Sequence, residues 1–178
     1  MDIREKKINS ETIFDGKVVK LVRDEVLCPN GKTSYREIIR HNGGAGVLCV
    51  TPDNKVLLIK QFRYAYDEII YEIPAGKLEK DEDPKLAAIR ELEEETGMKA
   101  SSVELLNVLY PTCGYSAEKI YIYLAQDCVK THTNLDEDEF IIEEYIDFDK
   151  ALEMVNAGTI KDAKTICALM TYLIRYKR

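Results

Sequence analysis

Glu91, Glu94 and Glu95 stand at i, i+3 and i+4 within "GKLEKDEDPKLAAIRELEEETGM" (76–98), a stretch that otherwise reads as a helix with an apolar stripe. At roughly 100° per residue their carboxylates share one face, while Glu93 points almost the opposite way. Like charges at this spacing cost a few tenths of a kcal/mol each, and Glu94 and Glu95 near the helix C-terminus also oppose the macrodipole. The crowding is unfavourable unless a cation resides there. Mg²⁺ suits these donors, because it takes hard oxygen ligands and bridges carboxylates to substrate phosphates. The bland alternative is a solvated charge face, helped by Arg90 and Glu94 at i,i+4. An EF-hand is excluded, since neither "DEDPK" nor "DEDEF" has the alternating ligands, central Gly and terminal Glu of that loop.

The helix is well delimited: Asp83 suits the N-cap, Pro84 the first turn and Gly97 the stop. Leu86, Ile89 and Leu92 form its expected packing side, and Ala87 and Ala88 leave room for another segment or a ligand. Before it, residues 17–41 read as two strands around "PNGK", and "GVLCV" and "KVLLIKQF" as two more flanking "TPDN". The Gly cluster at 43–46 precedes a strand rather than opening a helix, which argues against a dinucleotide-binding loop. "DEIIYEIPAG" is a further strand segment, residues 102–129 give two strands around a loop, and "KTHTNLDEDEF" is a polar, acidic connection. "DKALEMVNAG" and "KDAKTICALMTYLIRYK" carry apolar residues at helical spacing. Strands interleaved with helices and hairpins imply an α/β fold with a mixed, helix-covered sheet.

At 178 residues the chain suffices for one domain with its own core. Its 32 acidic against 25 basic residues, a net charge of -7, disfavour nucleic acid and anionic membrane as partners. A phosphorylated substrate then needs metal ions to approach it. Five scattered cysteines (Cys28, Cys49, Cys113, Cys128, Cys167) without a CxxC pair suggest neither a disulfide framework nor a zinc site. With a charged N-terminal stretch and no long apolar run, the expected setting is the reducing cytoplasm.

Gly76, five residues, Glu82, seven residues, then Arg90-Glu91-Leu92-x-Glu94-Glu95-x-Gly97-Met98 resembles the signature box of the Nudix hydrolases at every specified position. The resemblance implies a Nudix-type α/β/α sandwich with a mixed sheet, here preceded by an N-terminal β-hairpin (1–43, with a catalytic core over 44–178). The implied activity is hydrolysis of a nucleoside diphosphate linked to another group, with Mg²⁺ as cofactor and Mn²⁺ as a substitute. By the same carry-over, Glu91 and Glu95 are the principal metal ligands, Glu94 assists, and the carbonyl of Ala75 completes the site. Arg90 orients the carboxylates and Glu82 braces the loop.

The flanking "QFR" (61–63), "EIPAGKLE", "GYSAEKIYIYLA" and "LDEDEF" (135–140) look like the ADP-ribose pyrophosphatase branch. In that branch a Glu of the later acidic loop activates or positions water and can join the metal site; Glu139 is the first candidate here and Glu137 the second. The implied products are AMP and ribose 5-phosphate. Arg63, at a strand end, suits a phosphate, as do Arg36 and Arg40 on the hairpin, and Tyr35 matches an adenine-stacking position of the family. The branch often crosses its N-terminal strands to a partner, so a homodimer is expected, with Tyr35, Arg36 and Arg40 serving the neighbour's site. Cys113 stands where the branch often has a marker proline, fifteen residues after the box, and Pro111 lies two places earlier. The thiol reads as an inert loop residue. Competing readings are a Nudix hydrolase for another nucleotide sugar, NADH or a dinucleoside polyphosphate, and a non-catalytic nucleotide sensor on the same fold. The intact Glu91, Glu94 and Glu95 set argues against the sensor.

Overall fold

The computed structural model describes residues 2–137 and 139–177. Its contacts divide into two compact units, Met1–Gly43 with Tyr110–Lys119, and Gly44–Leu109 with Ile120–Arg178.

The first unit is a three-stranded antiparallel sheet, β1 (Lys6–Asp15), β2 (Lys20–Leu27) and β3 (Thr33–Arg40), in that order. The expected hairpin is β2–β3, and its turn closes through Cys28 N donating to Lys32 O and Gly31 N to Cys28 O. Only Gly31 takes a positive φ, of 79°, so the turn is a three-residue loop with a left-handed glycine rather than a two-residue Asn-Gly turn. Strand β1 was not expected from the sequence. It is exposed along its whole length, so no one-sided burial writes an alternating pattern into its residues. The 110–119 loop joins this unit through Ile39 N to Tyr115 O and Ala117 N to Ile39 O.

The second unit holds β4 (Gly44–Val50), β5 (Lys55–Arg63), β6 (Glu68–Glu72), β7 (Ala75–Lys77), α1 (Pro84–Thr96), β8 (Met98–Lys99), β9 (Val103–Leu109), β10 (Ile120–Ala125), β11 (Val129–Lys130), β12 (Ile141–Asp147), α2 (Phe148–Asn156) and α3 (Ala163–Tyr176). Its main sheet runs β12-β5-β4-β10-β9, with β6 on β5 and β7 on β4. Only the β4–β10 pair is parallel, so the sheet is mixed as expected.

Strand β4 is buried throughout, and its alternation supplies two cores. Leu48 and Val50, with Val56 and Leu58 of β5, pack under Phe148, Leu169 and Tyr172 of α2 and α3. Ala45, Val47 and Cys49, with Leu57, pack under Ala87, Ala88 and Leu92 of α1. Helices cover both faces, which makes the α/β/α sandwich. Among the described residues no helix is long and apolar enough to cross a membrane.

Two expectations are corrected. Residues 141–147 form an edge strand, β12, missed because "IIEEYID" is too charged and too irregularly buried to read as a strand. On α1 the packing side is Ala87, Ala88, Leu92 and Glu95, while Leu86 is exposed. At about 100° per residue Leu86 lies roughly opposite Ala88, so a helix that faces Ala88, Leu92 and Glu95 inward turns Leu86 to solvent.

Candidate active site

The helix α1 begins and ends where its caps dictate. Asp83 accepts from the amides of Lys85 and Leu86, Pro84 occupies the first turn, and Gly97 closes the helix at φ 60° with its amide donating to Glu93 O. A strap then covers the helix end: Lys130 Nζ donates to Thr96 O at 2.7 Å, Thr131 N to Gly97 O at 2.6 Å, and Asn134 N to Glu94 O at 2.8 Å. Carbonyls left unpaired by helix geometry are thereby satisfied, and a lysine sits at the negative end of the dipole. The same strap continues into the loop that carries Glu137 and Glu139.

Arg90 gathers the acidic side chains. Its Nε and Nη2 donate to Glu82 at 3.1 and 3.2 Å, and its Nη1 donates to Glu91 Oε1 and Glu94 Oε2, each at 2.8 Å. Burial alone would lower the Arg90 pKa, but these carboxylates hold it above its ordinary value. Glu82 in turn accepts from Glu79 N at 2.8 Å, tying the loop before α1 to the guanidinium.

Glu91 faces the Ala75–Lys77 strand so closely that a Cβ on Gly76 would lie 1.9 Å from its Cδ. Glu95, 3% exposed, accepts from Ala75 N at 2.9 Å. Burial raises the pKa of Glu91, against Arg90 and with Glu94 and Glu139 adding to the rise. Glu95 is pushed up to about 8 by burial, with the Ala75 hydrogen bond opposing and Glu91 and Glu139 adding. A carboxyl so displaced lacks the positive charge its ionised form needs.

These residues fit a hard divalent cation. The donors are carboxylate oxygens on one helix face, one of them (Glu91) admitted by Gly76, and Arg90 and Ala75 N each occupy one oxygen of a carboxylate while the other stays outside those bonds. In this arrangement no three carboxylate, imidazole or thiol groups among the described residues are placed to hold a metal ion together.

A NUDIX domain model matches residues 40–169, a span that includes the whole of α1 and the loop before it. The chain belongs to the Nudix family. This Nudix chain is 44% identical over 167 residues (93% of it, 90% of the relative) to a methanol dehydrogenase activator of Bacillus methanolicus. It is 42% identical over 169 residues (94% and 91%) to an ADP-ribose pyrophosphatase of Bacillus subtilis (strain 168). Its fold is similar to that of a solved structure described as "Crystal structure of ADP compounds hydrolase", with TM-score 0.86, 21% identity, and 99% and 97% of the two chains covered.

In this Nudix chain Glu139 is near enough to Glu91 and Glu95 to raise the pKa of both, whereas Glu137 is exposed on the same loop. Arg63 is engaged by a residue the sequence reading did not single out: its Nε and Nη2 donate to Glu72 at 2.6 and 2.8 Å. Glu72 is 3% exposed and also pairs with the buried Lys164 at the start of α3. The Ile73 amide donates to Thr165 Oγ1 at 2.8 Å, so the first turn of α3 anchors the segment leading to Ala75. Nothing in sequence marks Lys164, because an isolated lysine near an N-cap reads as surface charge.

The remaining candidates belong to the first unit. Arg36 pairs with Glu5, Arg40 Nη2 donates to the buried Asp24 at 3.2 Å, and Tyr35 is 62% exposed with the Arg23 guanidinium 5.5 Å from its ring centre.

Proposed function

We propose that this chain hydrolyses the diphosphate bond of ADP-ribose to AMP and ribose 5-phosphate, in the cytoplasm, with Mg²⁺ as cofactor and with residues 44–178 as the catalytic core. The observation that carries the reading is the pair of carboxylates, the partly buried Glu91 and the buried Glu95, held against the Ala75–Gly76 backbone with their pKa values raised. A fold gains nothing from burying such groups together unless a cation joins them. The relative that is an ADP-ribose pyrophosphatase supports the substrate, as it aligns over nearly the whole chain.

Glu91, Glu95 and Glu94, with the Ala75 carbonyl, would hold the metal. When bound, Mg²⁺ supplies charge neutralisation at the phosphate oxygens and lowers the pKa of water beside it. Arg90 keeps the carboxylates on one side of α1 and remains protonated throughout. Glu139 accepts the proton of the attacking water, in the reading favoured over Glu137, and contributes to the metal site. Arg63, oriented by Glu72, presents its remaining nitrogen to a substrate phosphate. Tyr35, Arg36 and Arg40 contact adenine and phosphate of the partner's site in a homodimer. Tyr35 has the exposure that stacking requires, and Arg36 and Arg40 would trade Glu5 and Asp24 for phosphate.

The test is product analysis with ADP-ribose, ADP-glucose, GDP-mannose, NADH and diadenosine polyphosphates, each with Mg²⁺ or with chelator. Metal-dependent AMP and ribose 5-phosphate, released fastest from ADP-ribose, is the expected result. Faster turnover of another compound replaces the substrate but keeps the chemistry. Ligand binding without turnover of any compound leaves the sensor reading in its place.

A further inference from the structure

Two cysteines far apart in sequence are neighbours in the fold. The Sγ atoms of Cys49 and Cys128, separated by 79 residues, lie 3.5 Å apart. Strand register explains the meeting: Ala125, the last residue of β10, pairs with Cys49 in β4, and Asp127, with a left-handed φ of 52°, turns the chain immediately afterwards. Cys49 is buried in the core under α1, while Cys128 is only partly buried at its margin.

We propose that Cys49 and Cys128 are a reversible disulfide site that reacts with low-molecular-weight disulfides by thiol–disulfide exchange. The covalent bond is about 2.05 Å long, so closure asks the sulfurs to approach by roughly 1.5 Å. Cys128 lies outside β10 and β11, in a short connection that can supply that movement, whereas Cys49 is held in the central strand.

Accessibility sets the order of events. Cys128, the more exposed sulfur, attacks as the thiolate; the hydrogen bond from Cys49 lowers its pKa, while that bond and burial push Cys49 up. Attack on an external disulfide RSSR forms the Cys128–SR bond and breaks the RS–SR bond, releasing RS⁻, which takes up a proton. Cys49 then attacks Cys128 Sγ, the Cys49–Cys128 bond forms, the Cys128–SR bond breaks, and the Cys49 proton leaves with the second RSH. Two electrons pass from the protein thiols to RSSR, and two RSH are produced.

The cross-link would join β4 to the root of the strap that covers the C-terminal end of α1 through Lys130, Thr131 and Asn134. The site is independent of the proposed hydrolysis.

The native full-length protein is incubated with glutathione disulfide, alkylated, and mapped by mass spectrometry. The expected result is a linked Cys49–Cys128 peptide pair, two hydrogen atoms lighter than the two free-thiol peptides together, that dithiothreitol reverses. Cys49→Ala is expected to trap a glutathione adduct on Cys128, and Cys128→Ser to abolish the cross-link. Reaction confined to Cys113 or Cys28, or a lasting adduct on Cys128 in the unsubstituted protein, overturns the proposal. Should Cys49→Ala not fold, since it lies in the core, the unsubstituted protein and Cys128→Ser decide the matter alone.

Discussion

Glu91 occupies the space that any side chain at Gly76 would need: a Cβ there would stand 1.9 Å from Cδ and 1.9 Å from Oε1 of the carboxylate. The atoms that would have to give way are the far end of a flexible side chain, not backbone. Gly76→Ala should therefore expel the Glu91 carboxylate at little cost to the fold, about 1 kcal/mol or less, while lowering turnover at least ~10-fold. Urea unfolding and steady-state kinetics on one preparation check both halves. A loss of stability without a loss of turnover would remove Glu91 from the metal site.

Glu95→Gln keeps a carbonyl oxygen to accept from Ala75 N but can no longer ionise. Because burial already disfavours the charge, the variant should be at least as stable as the original when metal is absent. Turnover should fall by ~100-fold or more, as the proposed metal site loses a charged ligand. Retained turnover would transfer the ligand role elsewhere.

Chelation tests the cation directly. Saturating Mg²⁺ at about 100 times its Kd adds roughly 2.7 kcal/mol of stability, which for a chain of this size is a shift in Tm of roughly 5–10 °C. A chelator should reverse that shift and abolish turnover together. If neither changes, the acidic face of α1 does not hold Mg²⁺.

The two loop carboxylates are separable. Glu139, which raises the pKa of Glu91 and Glu95, should lose roughly 100-fold in kcat as Glu139→Gln, with KM little altered. Glu137→Gln, at an exposed position, should stay within about 2-fold. The reverse ranking assigns the base to Glu137.

Glu72 carries a pH signature. Burial would raise its pKa, but hydrogen bonds from Arg63 and the charge of Lys164 outweigh it and hold the carboxyl below its ordinary value. A depressed pKa stabilises the fold above the unfolded value, ~4.3, and that stability is lost as pH falls through the folded value. Glu72→Gln should therefore flatten the decline of stability below pH ~4.5, as measured by urea unfolding from pH 3 to 7. Lys164→Met, which leaves Glu72 buried with Arg63 alone, should cost about 2–3 kcal/mol at pH 7.

The sequence by itself determined what local geometry decides. Asp83, Pro84 and Gly97 delimit α1 through capping and left-handed φ, and the i, i+3, i+4 spacing places Glu91, Glu94 and Glu95 on one side of it. Those effects reach no further than a helical turn. The spacing of the box, read as a resemblance, also anticipated the α/β/α architecture. The exposed strand β1 and the edge strand β12 were illegible, because neither carries the one-sided burial that prints a period on a strand. Only the tertiary structure decided that Glu72 links Arg63 to Lys164, that Glu139 lies close enough to act on Glu91 and Glu95, and that Cys49 meets Cys128. Each of these contacts joins residues whose separation along the chain carries no local signal, so only sheet register and helix packing could bring them together.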